Sequence, residues 1–89
     1  MPITVECINE TTFKVTVTDR STTTHTVTLK AEYWQKLTGG GVPPEKLVER
    51  SFEFLLEREA NTSILRTFDL PVIQRYFPEY EKTIRTLLG

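Results

Sequence analysis

One cysteine, Cys7, and one histidine, His25, are all that 89 residues hold of the side chains that most often ligate transition metals or form thiol–imidazole pairs. A single thiol excludes an intramolecular disulfide, and a closed zinc site takes about four ligands from the cysteine and histidine set. Cys7 falls on the same alternation as Ile3 and Val5, where a buried thiol is expected to act as a small hydrophobe. His25 shares the alternation of Val27 and Leu29 and reads as a hydrogen-bonded or edge histidine. No run approaches the roughly 18 apolar residues of a membrane span, and no apolar leader opens the chain. Together with the cysteine usage, this points to a reducing cytoplasm. Basic excess is missing too: 11 Lys and Arg stand against 12 Asp and Glu, for a net charge of −1. Because phosphate neutralisation supplies most nucleic-acid affinity, that mixed balance counts against nucleic acid and anionic membrane as partners. Three of the four glycines are consecutive, Gly39-Gly40-Gly41. No Gly-Lys-Ser/Thr follows them, so they read as a helix stop and connector rather than a phosphate cradle. Asn61-Thr62-Ser63 matches the glycosylation acceptor pattern, which matters only in a secreted chain.

What is present fits one small α+β domain spanning residues 1–89. A chain of this size buries roughly 60% of the surface its unfolded form exposes, and a stability of about 5–10 kcal/mol is expected. Its hydrophobic fraction of 38% is ordinary for a folded protein, which counts against disorder.

The first third alternates with period two, the signature of strands with one buried face. Ile3, Val5 and Cys7 oppose Thr4 and Glu6. After a turn at Asn9-Glu10-Thr11, Phe13, Val15 and Val17 oppose Lys14, Thr16 and Thr18. A second turn at Asp19-Arg20-Ser21 leads to His25, Val27 and Leu29 against Thr24, Thr26 and Thr28. The expected product is a three-stranded antiparallel meander over about residues 2–29, with a dry face of Val5, Val15, Val17, Val27 and Leu29 and a threonine-rich wet face.

Helices are expected over about 31–37, 44–59, 63–67, 70–77 and 78–88, packed on one face of the sheet. Pro43-Pro44 suits the first turn of the longest, where backbone N–H groups lack partners anyway. Its apolar positions Leu47, Val48, Phe52, Phe54, Leu55 and Leu56 cover a wide arc, which predicts packing on more than one neighbour: the sheet on one side, and other helices or a second subunit on the other. Thr62 or Ser63 could cap the turn through Ile64-Leu65, and Asp69 the helix after it. Pro78 forces a break at Tyr76-Phe77, because proline disfavours helix at the residue before it.

The segment Ser51-Phe52-Glu53-Phe54-Leu55-Leu56-Glu57-Arg58-Glu59, followed by Ser63-Ile64-Leu65, Phe68-Asp69-Leu70 and Arg75-Tyr76-Phe77-Pro78-Glu79-Tyr80-Glu81, resembles a family of small prokaryotic proteins of about this length. The likeness is strong over the last forty residues and looser over the strands. It implies a bacterial or archaeal cytoplasmic protein. No activity is established for that family, so the resemblance carries no catalytic or binding residue across.

The carboxylates form no acid–base pair on sequence grounds, since Glu49, Glu53 and Glu57 read as a solvated helix face. No catalytic, cofactor or metal residue is therefore expected. One cluster stands out: Arg58, Arg66 and Arg75 near helix ends, with Tyr76, Phe77 and Tyr80 around Pro78. Arginine and tyrosine are favoured at interface hot spots, so the cluster reads either as a docking surface or as core aromatics bridged by internal ion pairs. The leading functional expectation is a non-enzymatic interaction module or accessory subunit, binding a protein partner or a second copy of itself. The alternatives are a nucleic-acid-linked regulator of the antitoxin or repressor kind and, third, a small-molecule enzyme.

Overall fold

Threonine alternating with valine or phenylalanine places one polar and one apolar row on each strand, and the sheet follows that pattern closely. The computed structural model describes residues 3–89, so the expected strand start at residue 2 lies outside the described residues. In chain order the described elements are β1 (Ile3–Cys7), β2 (Thr12–Thr18), β3 (Thr22–Thr28), α1 (Ala31–Thr38), α2 (Pro44–Leu56), a 3-10 turn at Asn61–Ser63, β4 (Thr67–Asp69), α3 (Val72–Tyr76) and α4 (Tyr80–Leu88). The chain is α+β as expected, but the sheet differs in one respect. β1, β2 and β3 form the antiparallel meander, and β4 adds beside β3 in parallel, giving the order β1-β2-β3-β4. A parallel neighbour requires a crossover, and α1 and α2 supply it.

Phe13, Val15 and Val17 of β2 are buried, as are His25 and Val27 of β3, with register pairs Val15↔His25 and Phe13↔Val27. On the opposite face Thr4, Thr16 and Thr24 line up across three strands, and no side chain of that face is buried. The Asn9 turn closes through its side-chain oxygen, which accepts from the Thr11 N–H at 3.0 Å. Cys7 corrects an expectation: it is exposed, and its thiol donates to the Asn9 carbonyl at 3.1 Å. It is the last residue of an edge strand, beyond the reach of the helical layer.

The wide apolar arc of α2 finds its neighbours inside the chain. Leu47, Val48, Phe52, Phe54 and Leu55 are buried, and the helix packs against β1 on one flank and α4 on the other. Its acidic face is partly neutralised by Arg50–Glu53 at 2.8 Å and Lys46–Glu49 at 3.9 Å. α1 ends where expected, with Gly39 in the left-handed region (φ 70°) and its N–H on the Gln35 carbonyl at 2.8 Å. α1 is tied to α4 by the Tyr33 hydroxyl, which donates to Glu81 Oε2 at 2.9 Å. The Cα radius of gyration, 12.0 Å, is what one domain of this length gives (about 12 Å).

The chain after α2 departs most from expectation. α2 stops at Leu56 rather than near residue 59: the Arg58 N–H tightens onto the Leu55 carbonyl three residues back, and the Phe54 carbonyl it would meet in a continuing helix accepts from the Arg58 guanidinium instead. The helix expected over 63–67 is absent; Ile64 is extended (φ −76°, ψ 138°), and the chain then enters β4. Neither Thr62 nor Ser63 caps a helix there. Asp69 is a strand residue, and α3 starts after Pro71 with no side-chain cap. Pairing with β3 decides the matter, since it buries Phe68 between exposed Thr67 and Asp69. The break before Pro78 occurs as expected, with Phe77 extended at φ −132°, ψ 90°.

Candidate interaction groove

The six residues singled out in the sequence separate into two groups. Tyr80 belongs to the core: it is 0% exposed, and its hydroxyl lies 2.6 Å from Ser51 Oγ. Ser51 spends its own proton on the Leu47 carbonyl at 2.7 Å, so Tyr80 is the donor to Ser51. Burial raises the Tyr80 phenol well above its ordinary range. Phe54 stands edge-on to both Tyr80 (5.3 Å between ring centroids) and Phe77 (5.9 Å). Arg58 closes this stack. Its guanidinium lies 3.6 Å over the Phe54 ring, donates to the Phe54 carbonyl at 3.1 Å and pairs with Glu79 at 3.2 Å. The Glu79 carboxyl is held below its usual range first by a backbone N–H bond and then by Arg58. Arg58, Phe77 and Tyr80 thus form a clamp joining the end of α2 to the start of α4, and of the three only Phe77 also lines the groove beside it.

Arg66, Arg75 and Tyr76 are on the surface, and Tyr76 is 66% exposed. Neither Arg66 nor Arg75 has an ion-pair partner among the described residues. Tyr76 stands at the lip of a groove of about 360 Å³ between the end of α2, the segment leading into β4, and α3. Leu55, Ile64, Phe68 and Ile73 form its buried floor. Leu65, 47% exposed, lines it together with Val72 and Phe77. Polar groups are few: the Ser63 hydroxyl, the Tyr76 phenol and the carboxylate of half-buried Glu59, none with a hydrogen-bond or ion-pair partner among the described residues. Sequence reading missed Leu65, Ile64 and Phe68 as groove residues. The available signal was Ile64-Leu65 itself, two adjacent large apolar residues in a non-helical stretch, which point in different directions.

A buried polar chain holds the groove's near wall to the sheet. His25, 1% exposed, has Nδ1 at 2.8 Å from the Leu65 carbonyl and Nε2 at 2.9 Å from Thr23 Oγ1. A carbonyl only accepts, so Nδ1 carries a proton; in the neutral ring Nε2 then accepts from Thr23. Thr23 Oγ1 in turn accepts from Asn61 Nδ2 at 3.0 Å, and the same amide donates to the Ser21 carbonyl at 2.9 Å. Asn61 is 3% exposed, so the nitrogen of the glycosylation tripeptide is inside the fold. Every contact of this chain is internal, and the ring of His25 packs 5.3 Å from Phe52. Among the described residues, no group of three or more His, Cys, Asp or Glu side chains is placed to hold a metal ion, and no helix is long and apolar enough to cross a membrane. Compared with known proteins, the chain matches no family model, no curated protein and no solved structure.

Proposed function

We propose that the chain is a non-enzymatic interaction module whose groove receives apolar side chains of a protein partner. The observation that carries this reading is the pair of exposed apolar side chains, Leu65 and Tyr76, at the mouth of a cleft whose floor is core. Isolated exposed hydrophobes are ordinary, but two beside a continuous apolar cleft form a patch of the kind partners cover. Seating one leucine-sized side chain there removes enough apolar surface for about 1.5–3 kcal/mol. Catalysis is less well supported, because among the described residues the ionisable groups lining the cleft are Glu59 and Tyr76, too few to build an acid–base pair with an orienting third group. Arg66 and Arg75 are likewise too few to anchor a polyanion, whose affinity scales with the number of phosphates neutralised.

The test is a random-peptide display library panned against the immobilised chain, with Leu65→Asp as the comparison. Only the backbone of Leu65 is used by His25, so the side chain can be replaced without touching the polar chain. Selected clones should bind the parent chain and lose roughly tenfold or more with Leu65→Asp, the equivalent of about 1.4 kcal/mol. Clones indifferent to that substitution would place binding elsewhere and refute the groove. Sedimentation at high micromolar concentration, run on both chains, separates a second copy from an unrelated partner.

A further inference from the structure

The sheet ends at β4, and the backbone there is half used. Thr26 N–H donates to the Arg66 carbonyl at 2.7 Å, and Leu70 N–H donates to the Thr28 carbonyl at 2.9 Å. With Val27 paired to Phe68, residues 66, 68 and 70 therefore direct their backbone groups to β3. Those of Thr67 and Asp69 point away from it, and none has a hydrogen-bond partner among the described residues. This open edge borders the groove directly, because the Phe68 side chain, projecting from the middle of β4, is part of the groove wall.

Resting on the groove reading above, we infer that the partner is an extended segment that adds to the outer edge of β4 as a fifth strand, with an apolar side chain in the groove and a lysine or arginine two positions along facing Glu59. Main-chain bonds to Thr67 and Asp69 set the register, and alternate side chains supply the selectivity, as in other strand additions. The side chains of residues two apart in a strand point to the same face, so one can meet Phe68 and Leu65 while the next reaches the cleft's carboxylate. The cation follows from charge: Glu59 is the one carboxylate lining the cleft, and its neighbour Arg58 is already committed to Glu79 and the Phe54 carbonyl. An acidic residue at that position would meet like charge in a half-buried setting.

The probe is a panel of blocked hexapeptides, threonine throughout except for leucine, phenylalanine or tryptophan at the third position and lysine, glutamine or glutamate at the fifth. Each is titrated into the 15N-labelled chain, with backbone N-methylated versions alongside. The expected result is a shift of the Leu65 and Tyr76 amides with slowed exchange at Thr67 and Asp69. Binding should be roughly tenfold tighter for lysine than for glutamate, as opposed and like charges across an interface differ. N-methylation should abolish it, and Glu59→Gln should remove the charge preference while leaving the glutamine peptides unchanged. Shifts at Leu65 and Tyr76 without protection of Thr67 and Asp69 would overturn the added strand yet keep the groove. A panel with no binder overturns the strand as well, and the groove is then judged by the library alone.

Discussion

Replacing Asn61 is the sharpest test of how the groove is held to the sheet. An amide nitrogen has two protons, so of its three contacts only those to Ser21 O (2.9 Å) and Thr23 Oγ1 (3.0 Å) are full bonds; Val17 O at 3.4 Å shares one of them. Asn61→Ala removes both, at about 1 kcal/mol each, and leaves acceptors with little water, which brings the loss to about 2–3 kcal/mol. Against a total of about 5–10 kcal/mol this is large. With a urea dependence of about 1 kcal/mol per molar, the unfolding midpoint, followed through Trp34 fluorescence, should fall by roughly 2 M or more. Asn61→Asp discriminates the cause. It is nearly the same size, but the introduced carboxylate would confront three oxygens with no proton to give, so it should cost more than alanine at neutral pH. Its folded-state pKa would lie above its unfolded value, and a raised pKa contributes stability at low pH that is lost as pH rises. The deficit of Asn61→Asp relative to Asn61→Ala should therefore widen from about pH 4 to pH 7. If aspartate proves as stable as asparagine, or milder than alanine at pH 7, the donor role assigned to Asn61 is wrong.

Other consequences can be checked on the same preparation. Tyr80→Phe leaves Ser51 bonded to Leu47 and should cost only about 0.5–1.5 kcal/mol, and the pair Tyr80→Phe with Ser51→Ala should be non-additive in a double-mutant cycle. Arg58→Lys should fail to restore Arg58→Ala, because an ammonium cannot lie flat over Phe54 while pairing with Glu79; thermal melts of the two variants should nearly coincide. Glu79, with its carboxyl depressed, contributes stability above its ordinary value of 4.5 that is lost on acidification through the lower folded value, so the gap between the parent and Arg58→Ala melting curves should narrow below that pH, leaving the part due to the Phe54 contacts. Tyr33 and Tyr80 are both raised by burial, Tyr33 further by its bond to Glu81, so their contribution is present below 10.0 and lost above it. An ultraviolet titration should show these two phenols ionising only as near-ultraviolet dichroism collapses; free ionisation near 10.0 in the folded chain would contradict the packing. Cys7, exposed at the end of β1, should be modified by a maleimide in the folded chain without denaturant.

Much of the meander was legible because period two is a strong signal when one row is threonine and the other valine. β2 and β3 carry seven residues each, long enough for the alternation to be unmistakable. Cys7 was misread for the reason that alternation says which side a residue points to, not whether anything covers that side. β4 was illegible: three residues cannot display a period, and a parallel partner lies some forty positions away in the chain, as with Val27 and Phe68. The cluster around Pro78 was half legible. Composition identified arginine and tyrosine, but which of them face inward depends on where α2 stops, and there the Arg58 N–H tightens onto the Leu55 carbonyl while its guanidinium takes the Phe54 carbonyl.

The groove lay outside sequence reading for a related reason, which also explains why it exists. Ile64 is extended and buried, and the next side chain, Leu65, is turned outward. In a free loop the chain could rotate to hide Leu65. Here it cannot, because the Leu65 carbonyl is fixed by His25, whose ring is fixed by Thr23, which is fixed by Asn61. One register pair further on, β4 is locked to β3 by Thr26 and the Arg66 carbonyl. The apolar side chain is thus held outward by polar bonds on its own backbone, and the cleft beside it cannot collapse by local rotation. Amide exchange offers a direct reading of that coupling. In Asn61→Ala, exchange at Ile64, whose N–H donates to the Asn61 carbonyl, and at Thr26, whose N–H donates to the Arg66 carbonyl, should accelerate well beyond the change at Phe52 in α2, whereas uniform acceleration across all three would show that the groove wall has no separate hold.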